Sequence, residues 1–443
     1  MFFRKPGKFE GGIDLPAENR ATRDSSVTCA PRPAELVIPI KQARGVNPEL
    51  WVKPGDRVTP GEILARDDAT SVEVISPAAG LVSQITRADV FAGRRLMSSD
   101  AIKLTDLSEL PAFKPAKPVR DWQELSQNNL TDRIAESGMI SFAINPKPLK
   151  NWLTNALKPE VTHLICNAVD DQSFGTATRR LLIEAGEEIL QGLAILSKAI
   201  GAEQTTIAVI DSLSRKLTDI EKSADSLGVK LSAVPRKYPT GADNILIRVI
   251  TGHEVKIGKS PASAGCAVVT PQTCRAIYRY IACDEKTAAR IVTLAGDRAK
   301  SQGNFYLPIG TVCQQVCDTQ NTKQSIIANS PVIGQIATEN LVVTPSLEML
   351  VATELPAPTS PNQCIRCGWC TDHCPARLNV AILNDMYELC DFDSARELGV
   401  QACVGCGVCS YICPAKLELS YRMSELKTVI AQQALSQKAG CDE

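Results

Sequence analysis

The sequence predicts an α/β multidomain protein whose C-terminal part is a helical domain built around two metal clusters. Three observations predict it: short strands separated by turns near the N-terminus, alternating strands and helices in the middle, and two cysteine motifs near the C-terminus. The chain of 443 residues is long enough for several domains with their own cores. Its net charge of −1 gives no electrostatic reason to expect a nucleic acid as partner.

Residues 1–100 carry the strand signals of a barrel-sandwich hybrid, the fold of lipoyl and biotinyl carrier domains. A V-K-P-G-D-x-V-x-x-G-x-x-L pattern begins at Val52, and an S-P-x-x-G-x-V pattern begins at Ser76. A carrier domain needs a lysine at the tip of its central hairpin, but the sequence has none between Leu64 and Pro77. We therefore expect this fold to serve as a docking or scaffolding module without the carrier function.

A proline-containing linker is predicted over residues 101–130, leading into an α/β domain over residues 120–265. Alternating strands and helices favour a mostly parallel sheet in this domain. Apolar residues recur at helical spacing in its long helix. The predicted elements are strands at 164–168, 206–210 and 230–234 and a helix at 178–200.

A small β-grasp-like domain is predicted next, over residues 266–346. The signals are shorter strands, which are separated by turns rather than by long helices. These predicted strands lie at 267–270, 290–294 and 304–309.

Two copies of the motif C-x2-C-x2-C-x3-C-P lie in residues 355–443, which we expect to form a helical ferredoxin-like domain ending in a polar helix from Tyr421 to Ser436. This spacing binds [4Fe–4S] clusters, and in paired motifs the fourth cysteine usually serves the other cluster. The predicted ligands are Cys364, Cys367, Cys370 and Cys413 for the first cluster, and Cys403, Cys406, Cys409 and Cys374 for the second.

Structural zinc ribbons are the alternative interpretation of these cysteines. Zinc ribbons use two pairs of ligands, whereas each run here has four cysteines and ends in Cys-Pro, so the iron–sulfur interpretation is favoured. Gly368, Gly405 and Gly407 would let backbone amides approach the cluster sulfurs. We expect His373 to pack near a cluster rather than bind it, and Trp369 to shield a cluster from water.

These pieces, in this order, resemble the C subunit of the Rnf complex, an ion-translocating electron-transfer complex. The resemblance covers nearly the whole chain and implies a peripheral, membrane-associated subunit at the cytoplasmic face of the cell membrane. Its implied partners are integral membrane and ferredoxin-like Rnf subunits, and ferredoxin directly or indirectly. Besides the cysteine motifs, it rests on Gly11, Gly12, Ile13, residues 36–42, Lys237, Tyr238, Pro239, Gly241, residues 251–255, Gly303 and Asn304.

The family's flavin domain is similar to the NADH-oxidising subunit of respiratory complex I. There, FMN lies under a G-x-G-G-A-G-F-P-T loop, and an N-A-x-E-x-E-P segment helps to hold flavin and nicotinamide. In the corresponding residues 137–150 of this chain, only Gly138 and Pro148 match the loop. Glycines are needed because side chains would hold the backbone away from the ligand. The side chains expected to fill that space are Met139, Ile140, Phe142 and Ile144.

The acidic segment also departs from the family pattern. Asn167 and Ala168 match, but one glutamate is replaced by Asp170 and the second by Gln172. We therefore expect two [4Fe–4S] clusters as cofactors, and we expect neither FMN nor NAD(H) to bind.

The first functional hypothesis is an electron-relay subunit of a translocase complex. Single electrons would pass between a ferredoxin-level donor or partner subunit and the membrane part, where electron flow drives translocation of Na⁺ or H⁺. The altered loop favours an acceptor other than NAD, as in the Rnf complexes of methane-producing archaea. The alternatives are a flavin-containing NADH:ferredoxin oxidoreductase subunit and a soluble ferredoxin-like interaction module. No catalytic residue is assigned, and NADH dehydrogenase activity of the chain itself is left open.

Overall fold

The computed structural model describes residues 7–29, 31–92, 95–317, 325–355 and 360–439. The predicted domains at 1–100 and 355–443 therefore extend past the described residues at the two chain ends. Within these ranges, no helix combines the length and the apolar character that crossing a membrane requires.

The N-terminal part folds into two small antiparallel sheets that enclose a core of aliphatic side chains. One sheet has the strand order β2-β8-β7-β4 and the other β3-β5-β6. Leu36, Ile38, Leu64 and Val74 are buried between them. The strands are β1 (Val27–Cys29), β2 (Leu36–Pro39), β3 (Glu49–Leu50), β4 (Arg57–Val58), β5 (Ile63–Asp67), β6 (Val72–Ile75), β7 (Ala79–Ala92) and β8 (Arg95–Ser108).

The last strand of this part continues past the predicted boundary at residue 100. Residues 101–108, expected to begin a linker, are the second half of β8 and pair with β2 and β7. Ile102 and Leu104 are fully buried. Residues 102–105 carry the strand signal, because apolar and polar residues alternate there. The prolines that follow favoured a linker in the prediction.

The middle part contains a four-stranded parallel sheet in the order β11-β10-β9-β12. The predicted mostly parallel sheet is thus confirmed, and the long helix α3 lies where its apolar periodicity predicts it. The elements are α1 (Gln127–Glu136), α2 (Leu149–Ala156), β9 (His163–Asn167), α3 (Ala177–Ile200), β10 (Gln204–Ile210), α4 (Asp211–Ser214), α5 (Thr218–Ser226), β11 (Val229–Val234), α6 (Asp243–Thr251), β12 (Cys266–Val269) and α7 (Pro271–Cys283).

One strand lies elsewhere than expected. Residues 267–270 were assigned to the small domain, but β12 pairs with β9 in the parallel sheet. Because β10 and β11 extend the sheet on the other side of β9, the strand order reverses between β9 and β12. Such a reversal leaves a crevice at the carboxyl ends of the two strands.

The next part forms a six-stranded mixed sheet in the order β1-β14-β13-β17-β15-β16. The strands predicted at 290–294 and 304–309 are its antiparallel pair β13 and β14. Strand β1 reaches this sheet from the N-terminal part and pairs in parallel with β14. The elements are β13 (Ala289–Ala295), β14 (Gly303–Pro308), α8 (Cys313–Cys317), β15 (Ser325–Ala328), β16 (Gln335–Ile336) and β17 (Met349–Thr353).

The C-terminal part is helical around the cysteines, as predicted. Its small core contains Leu383, Met423 and Leu426, and the predicted polar helix forms the longer α13. The helices are α9 (Trp369–Asp372), α10 (Val380–Glu388), α11 (Phe392–Glu397), α12 (Val408–Tyr411) and α13 (Leu419–Ala439).

Asn304 joins three parts of the chain from a fully buried position. Its amide nitrogen donates to the backbone oxygen of Thr22 at 2.8 Å. Its amide oxygen accepts from the hydroxyls of Thr176 at 2.8 Å and Thr293 at 2.9 Å. A buried amide with all these partners stabilises the fold, whereas losing it leaves several polar groups unpaired.

We expect Asn304→Leu to lower the free energy of unfolding by about 2–4 kcal/mol, because the two hydroxyls lose their acceptor and the Thr22 carbonyl loses one of its two donors. The measurement is the thermal unfolding midpoint. Asn128→Leu, at an exposed position of α1, is the matched control and should leave the midpoint nearly unchanged. Equal midpoints for the two variants would contradict the role of Asn304.

Candidate metal centres and the adjoining cavity

The eight motif cysteines gather into two sets, each around a small apolar cavity. The fourth cysteine of each motif crosses over to the other set, which is the grouping that the sequence predicts. Binding of iron by these thiolates stays a prediction. The first cavity is lined by Cys364, Cys367, Cys370 and Cys413, and the second by Cys374, Cys403, Cys406 and Cys409.

The spacing of these sulfurs does not suit a single ion. Among the described residues, no group of three or more Cys, His, Asp or Glu side chains could hold one metal ion. Burial raises the pKa of the Cys370, Cys374 and Cys409 thiols, so their thiolate forms need a cationic centre beside them. Four thiols around an apolar cavity fit a cubane cluster better than a zinc ion.

The two motifs use glycine in the same way to begin the helix that carries the third cysteine. Gly368 precedes α9 with φ of 81°, and Gly407 precedes α12 with φ of 79°; only glycine adopts this left-handed conformation without strain. The amide of Gly405 donates to the Cys403 sulfur at 3.3 Å, as the sequence predicts for an amide that approaches a cluster. A Cβ atom on Gly407 would lie 2.5 Å from the backbone oxygen of Val332.

The loop of the second set is tied to the α/β domain and to the N-terminal segment. The hydroxyl of Tyr238 donates to the backbone oxygen of Cys406 at 2.6 Å. The backbones of Ile13 and Tyr238 exchange two hydrogen bonds of 2.9 Å, and the amide of Gly12 donates to the oxygen of His373 at 2.8 Å. A Cβ on Gly11 would lie 2.6 Å from the oxygen of Cys374. The cysteine loop is therefore held by backbone contacts that leave no room for side chains.

His373 and Trp369 lie beside the first set. The Nδ1 atom of His373 is 3.0 Å from the backbone oxygen of Trp369, an arrangement typical of a packed side chain. Trp369 lines the first cavity but leaves 51% of its surface exposed. Ile365, in the same loop, is 65% exposed. The first cavity is thus close to an apolar part of the surface.

A cavity of about 420 Å³ lies at the carboxyl ends of β9 and β12, where the strand order reverses. Asn167 and Thr270 line it from the strand ends, while Val404 and Cys406 line it from the second cysteine loop. Its size and position are those of a small-molecule site in an α/β sheet.

The expectation that four apolar side chains fill this space is wrong. Ile140 is buried against Val46 and Val72 of the N-terminal domain, and Met139 packs against the protein cores. Phe142 and Ile144 line the cavity without closing it.

Two hydrogen bonds, one at each end, explain why the loop over residues 138–142 borders the cavity. The oxygen of Gly138 accepts from the amide of Glu73 at 2.8 Å, which holds the loop against the N-terminal domain. The amide of Phe142 donates to the hydroxyl of Thr273 at 2.9 Å, which holds it against the start of α7. The loop therefore borders the cavity instead of crossing it.

The charged residues that line the cavity are three acids and two bases. The amide of Gly241 donates to Asp171, and burial raises the pKa of this carboxyl to about 7. The accessible Asp243 lies in the first turn of α6, where the helix dipole favours an anion. The five residues are Asp171, Asp243, Glu348, Lys147 and Arg290.

The sequence pointed to Asp170, next to Asp171, but not to Asp243, Glu348 or Arg290. These three come from α6, β13 and the segment before β17, so no local spacing connects them. In the sequence, Tyr238 is marked only as one of the residues that carry the resemblance. It lines the cavity and also contacts the cysteine loop.

Three family models match this chain in the order of its parts. Residues 7–105 match the RnfC barrel sandwich hybrid domain, residues 146–279 the Nuo51 FMN-binding domain, and residues 359–428 the 4Fe-4S dicluster domain. The predicted fold class is confirmed by these matches, whereas the predicted domain limits stay a prediction. Fold and cysteine sets together define an iron–sulfur protein that carries an α/β domain of the FMN-binding type.

Two curated relatives show which iron–sulfur proteins this chain is most usefully compared with. The C subunit of the ion-translocating oxidoreductase complex of Yersinia pseudotuberculosis serotype O:3 (strain YPIII) is 29% identical over 84% of this chain and 54% of its own length. The same subunit of Edwardsiella ictaluri (strain 93-146) is 30% identical over 84% of this chain and 47% of its own. The protein is a homologue of these C subunits, and it spans about half their length.

A solved structure of an NAD⁺-reducing [NiFe]-hydrogenase in the H2-reduced state is also similar to this chain. The TM-score is 0.47 and the identity 13%, over 69% of this chain and 65% of that one.

We expect Gly11→Ala to destabilise the second cysteine set, because the methyl group would meet the Cys374 oxygen at 2.6 Å. Iron per chain should fall by about half, as one of two clusters is lost. The measurement is iron and sulfide content of anaerobically purified protein. Gly45→Ala separates this clash from backbone strain, since Gly45 has a similar φ of 73° and no atom within 4 Å. Equal iron loss in both variants would contradict the packing argument.

Proposed function

We propose that the protein is a peripheral electron-relay subunit of an Rnf-type ion-translocating oxidoreductase complex, at the cytoplasmic face of the membrane. It relays single electrons between a ferredoxin-level donor or partner subunits and the membrane part. The observation that carries the proposal is that two sets of four cysteines lie in one small domain, with the fourth cysteine of each motif in the other set. The chain that carries them is homologous to the C subunit of such complexes. The partners we propose are the other subunits of the complex.

The cysteine thiolates of each set are the ligands we assign to one [4Fe–4S] cluster, a group that accepts and donates one electron at a time. Backbone amides support this assignment. The amide of Leu378 donates to the Cys374 sulfur at 3.4 Å, and that of Gly405 donates to the Cys403 sulfur at 3.3 Å. Hydrogen bonds to cluster sulfurs raise the reduction potential, so both contacts tune the second centre.

The surroundings of the two sets suggest different roles. The second set is tied to the α/β domain by Tyr238 and borders the cavity through Cys406. The first set lies behind the exposed side chains of Ile365 and Trp369, and Cys367 itself is exposed. An exposed apolar surface beside a redox centre is suited to docking a neighbouring subunit, so we propose that electrons leave through the first set.

We further propose that the chain neither oxidises NADH nor retains FMN. A flavin or nicotinamide nucleotide brings phosphate groups, which need cations or free amide donors. The cavity is lined by three acidic groups, whose pKa values burial raises, and by two cations, and Asp243 already occupies the first turn of α6. A phosphate placed there would meet a carboxylate at the helix end that would otherwise attract it.

A second candidate function is a flavoprotein that exchanges hydride with NAD(H). It is favoured by the size of the cavity, about 420 Å³, and by the match of residues 146–279 to an FMN-binding domain. The position of Cys406 on the cavity wall would bring a bound flavin beside the second set. Cofactor analysis distinguishes the two functions.

We expect the anaerobically purified protein to contain two [4Fe–4S] clusters per chain and no stoichiometric FMN. Its cluster absorbance should stay unchanged on addition of NADH, because the cavity disfavours the phosphates of both nucleotides. A low-potential one-electron reductant should bleach the same absorbance. The measurements are iron, sulfide and flavin content, together with absorbance after each reductant.

Prompt bleaching by NADH, accompanied by about one FMN per chain, would establish the second candidate function instead. Protein with neither cluster would contradict both functions.

A further inference from the structure

A second concave surface, the basic groove, lies on the other side of the second cysteine loop from the cavity at the carboxyl ends of β9 and β12. Its volume is about 770 Å³, and Val404 of the cysteine loop lines both the groove and the cavity. The groove is bounded by α6, the loop after it, and α13. Six of its lining residues are cationic and one is acidic. The cations are Arg248, Lys256, Lys259, Arg377, Arg396 and Lys427.

Three of these cations have acidic partners at the edge of the groove. Arg248 pairs with Glu254 at 3.5 Å, Arg377 with Glu10 at 3.3 Å and Arg396 with Asp393 at 3.2 Å. Counting these acids, the groove keeps an excess of three positive charges. In contrast, the whole chain has a net charge of −1, so this excess is a local feature of the surface.

The groove reaches the second cysteine set directly. Cys403 lines both the groove and the second apolar cavity. The ammonium group of Lys427 donates to the backbone oxygen of Cys403 at 2.7 Å, which places a cation of the groove on the cysteine loop itself. A molecule seated in the groove would therefore contact the loop that surrounds the second redox centre.

The rim of the groove combines free charge with an apolar contact. Lys256 and Lys259 are exposed, and within the described residues neither forms an ion pair. Ile257 between them is 61% exposed. Charged residues around an exposed apolar side chain are typical of surfaces that bind partners transiently, where the charges guide the encounter.

We propose that the basic groove is the docking site of an acidic electron-carrier protein that exchanges single electrons with the second cysteine set. This proposal rests on the proposed relay function and adds the site and the charge of the carrier. A second copy of the chain, with its net charge of −1, offers little excess of acid to match the groove. An anionic membrane is flat and would fit the concave groove poorly. Lipid binding would also not require contact with Cys403.

The test uses the full chain with both clusters and the charge reversal Lys256→Glu with Lys259→Glu. We expect its second-order rate of reduction by a reduced, strongly acidic bacterial ferredoxin to fall about tenfold or more at low salt, because electrostatic steering is lost. The difference should shrink as salt is added. Stopped-flow absorbance of the clusters is the measurement.

Lys53→Glu with Lys158→Glu is the matched control, since both lysines are exposed and both pairs change the net charge equally. It should leave the ferredoxin rate unchanged. Reduction by methyl viologen radical, a small cation without a docking site, is measured at high salt, where its charge is screened. It should then proceed at the same rate in all three proteins, and it reports intact clusters.

Two results would overturn the docking site while leaving the relay function in place. One is a ferredoxin rate in the groove variant equal to that of the unchanged chain, with normal reduction by methyl viologen. The other is unchanged ferredoxin rates together with loss of binding to vesicles of phosphatidylcholine and phosphatidylglycerol, which would make the groove a lipid site. Clusters that methyl viologen cannot reduce in the unchanged chain would instead overturn the relay function and the docking site with it.

Discussion

The close contact between the second cysteine loop and the rest of the protein is the constraint on which the structure depends. Gly11 and Gly407 lie where a side chain would collide with backbone oxygens, at 2.6 and 2.5 Å. Tyr238 completes the attachment through its hydrogen bond to the oxygen of Cys406. Because these contacts involve backbone atoms, they fix the distance between the cysteine loop and the parallel sheet. A redox centre held in this loop would keep constant distances to the cavity and to the basic groove.

The charges around this loop are separated by sign. The cavity on one side is lined by more acids than bases, whereas the groove on the other side keeps a positive excess. Val404 lies between the two, since it lines both. We therefore expect the cavity to disfavour anionic nucleotides and the groove to attract acidic proteins. This separation is the physical reason to treat the protein as a relay between proteins in preference to a nucleotide oxidoreductase.

Features encoded by local spacing could be predicted from the sequence, and features assembled from distant segments could not. The crossed cysteine sets and helix α3 follow from short-range patterns, so their positions were predictable. Strand β12 was assigned to the wrong sheet because a four-residue strand does not reveal its partner. The groove was missed because its cations are distributed from Arg248 to Lys427 without forming a run. The cavity was expected to be filled because sequence does not show that Ile140 turns toward the N-terminal domain.

The assignment of Cys374 to the second set tests the central claim most directly, since both the crossing and the relay depend on it. Electron paramagnetic resonance of the reduced protein would compare Cys374→Ser with Cys403→Ser and Cys370→Ser. The account predicts that Cys374→Ser changes the same cluster signal as Cys403→Ser and leaves the signal affected by Cys370→Ser intact. A change in the signal affected by Cys370→Ser instead would contradict the crossed arrangement of the two centres.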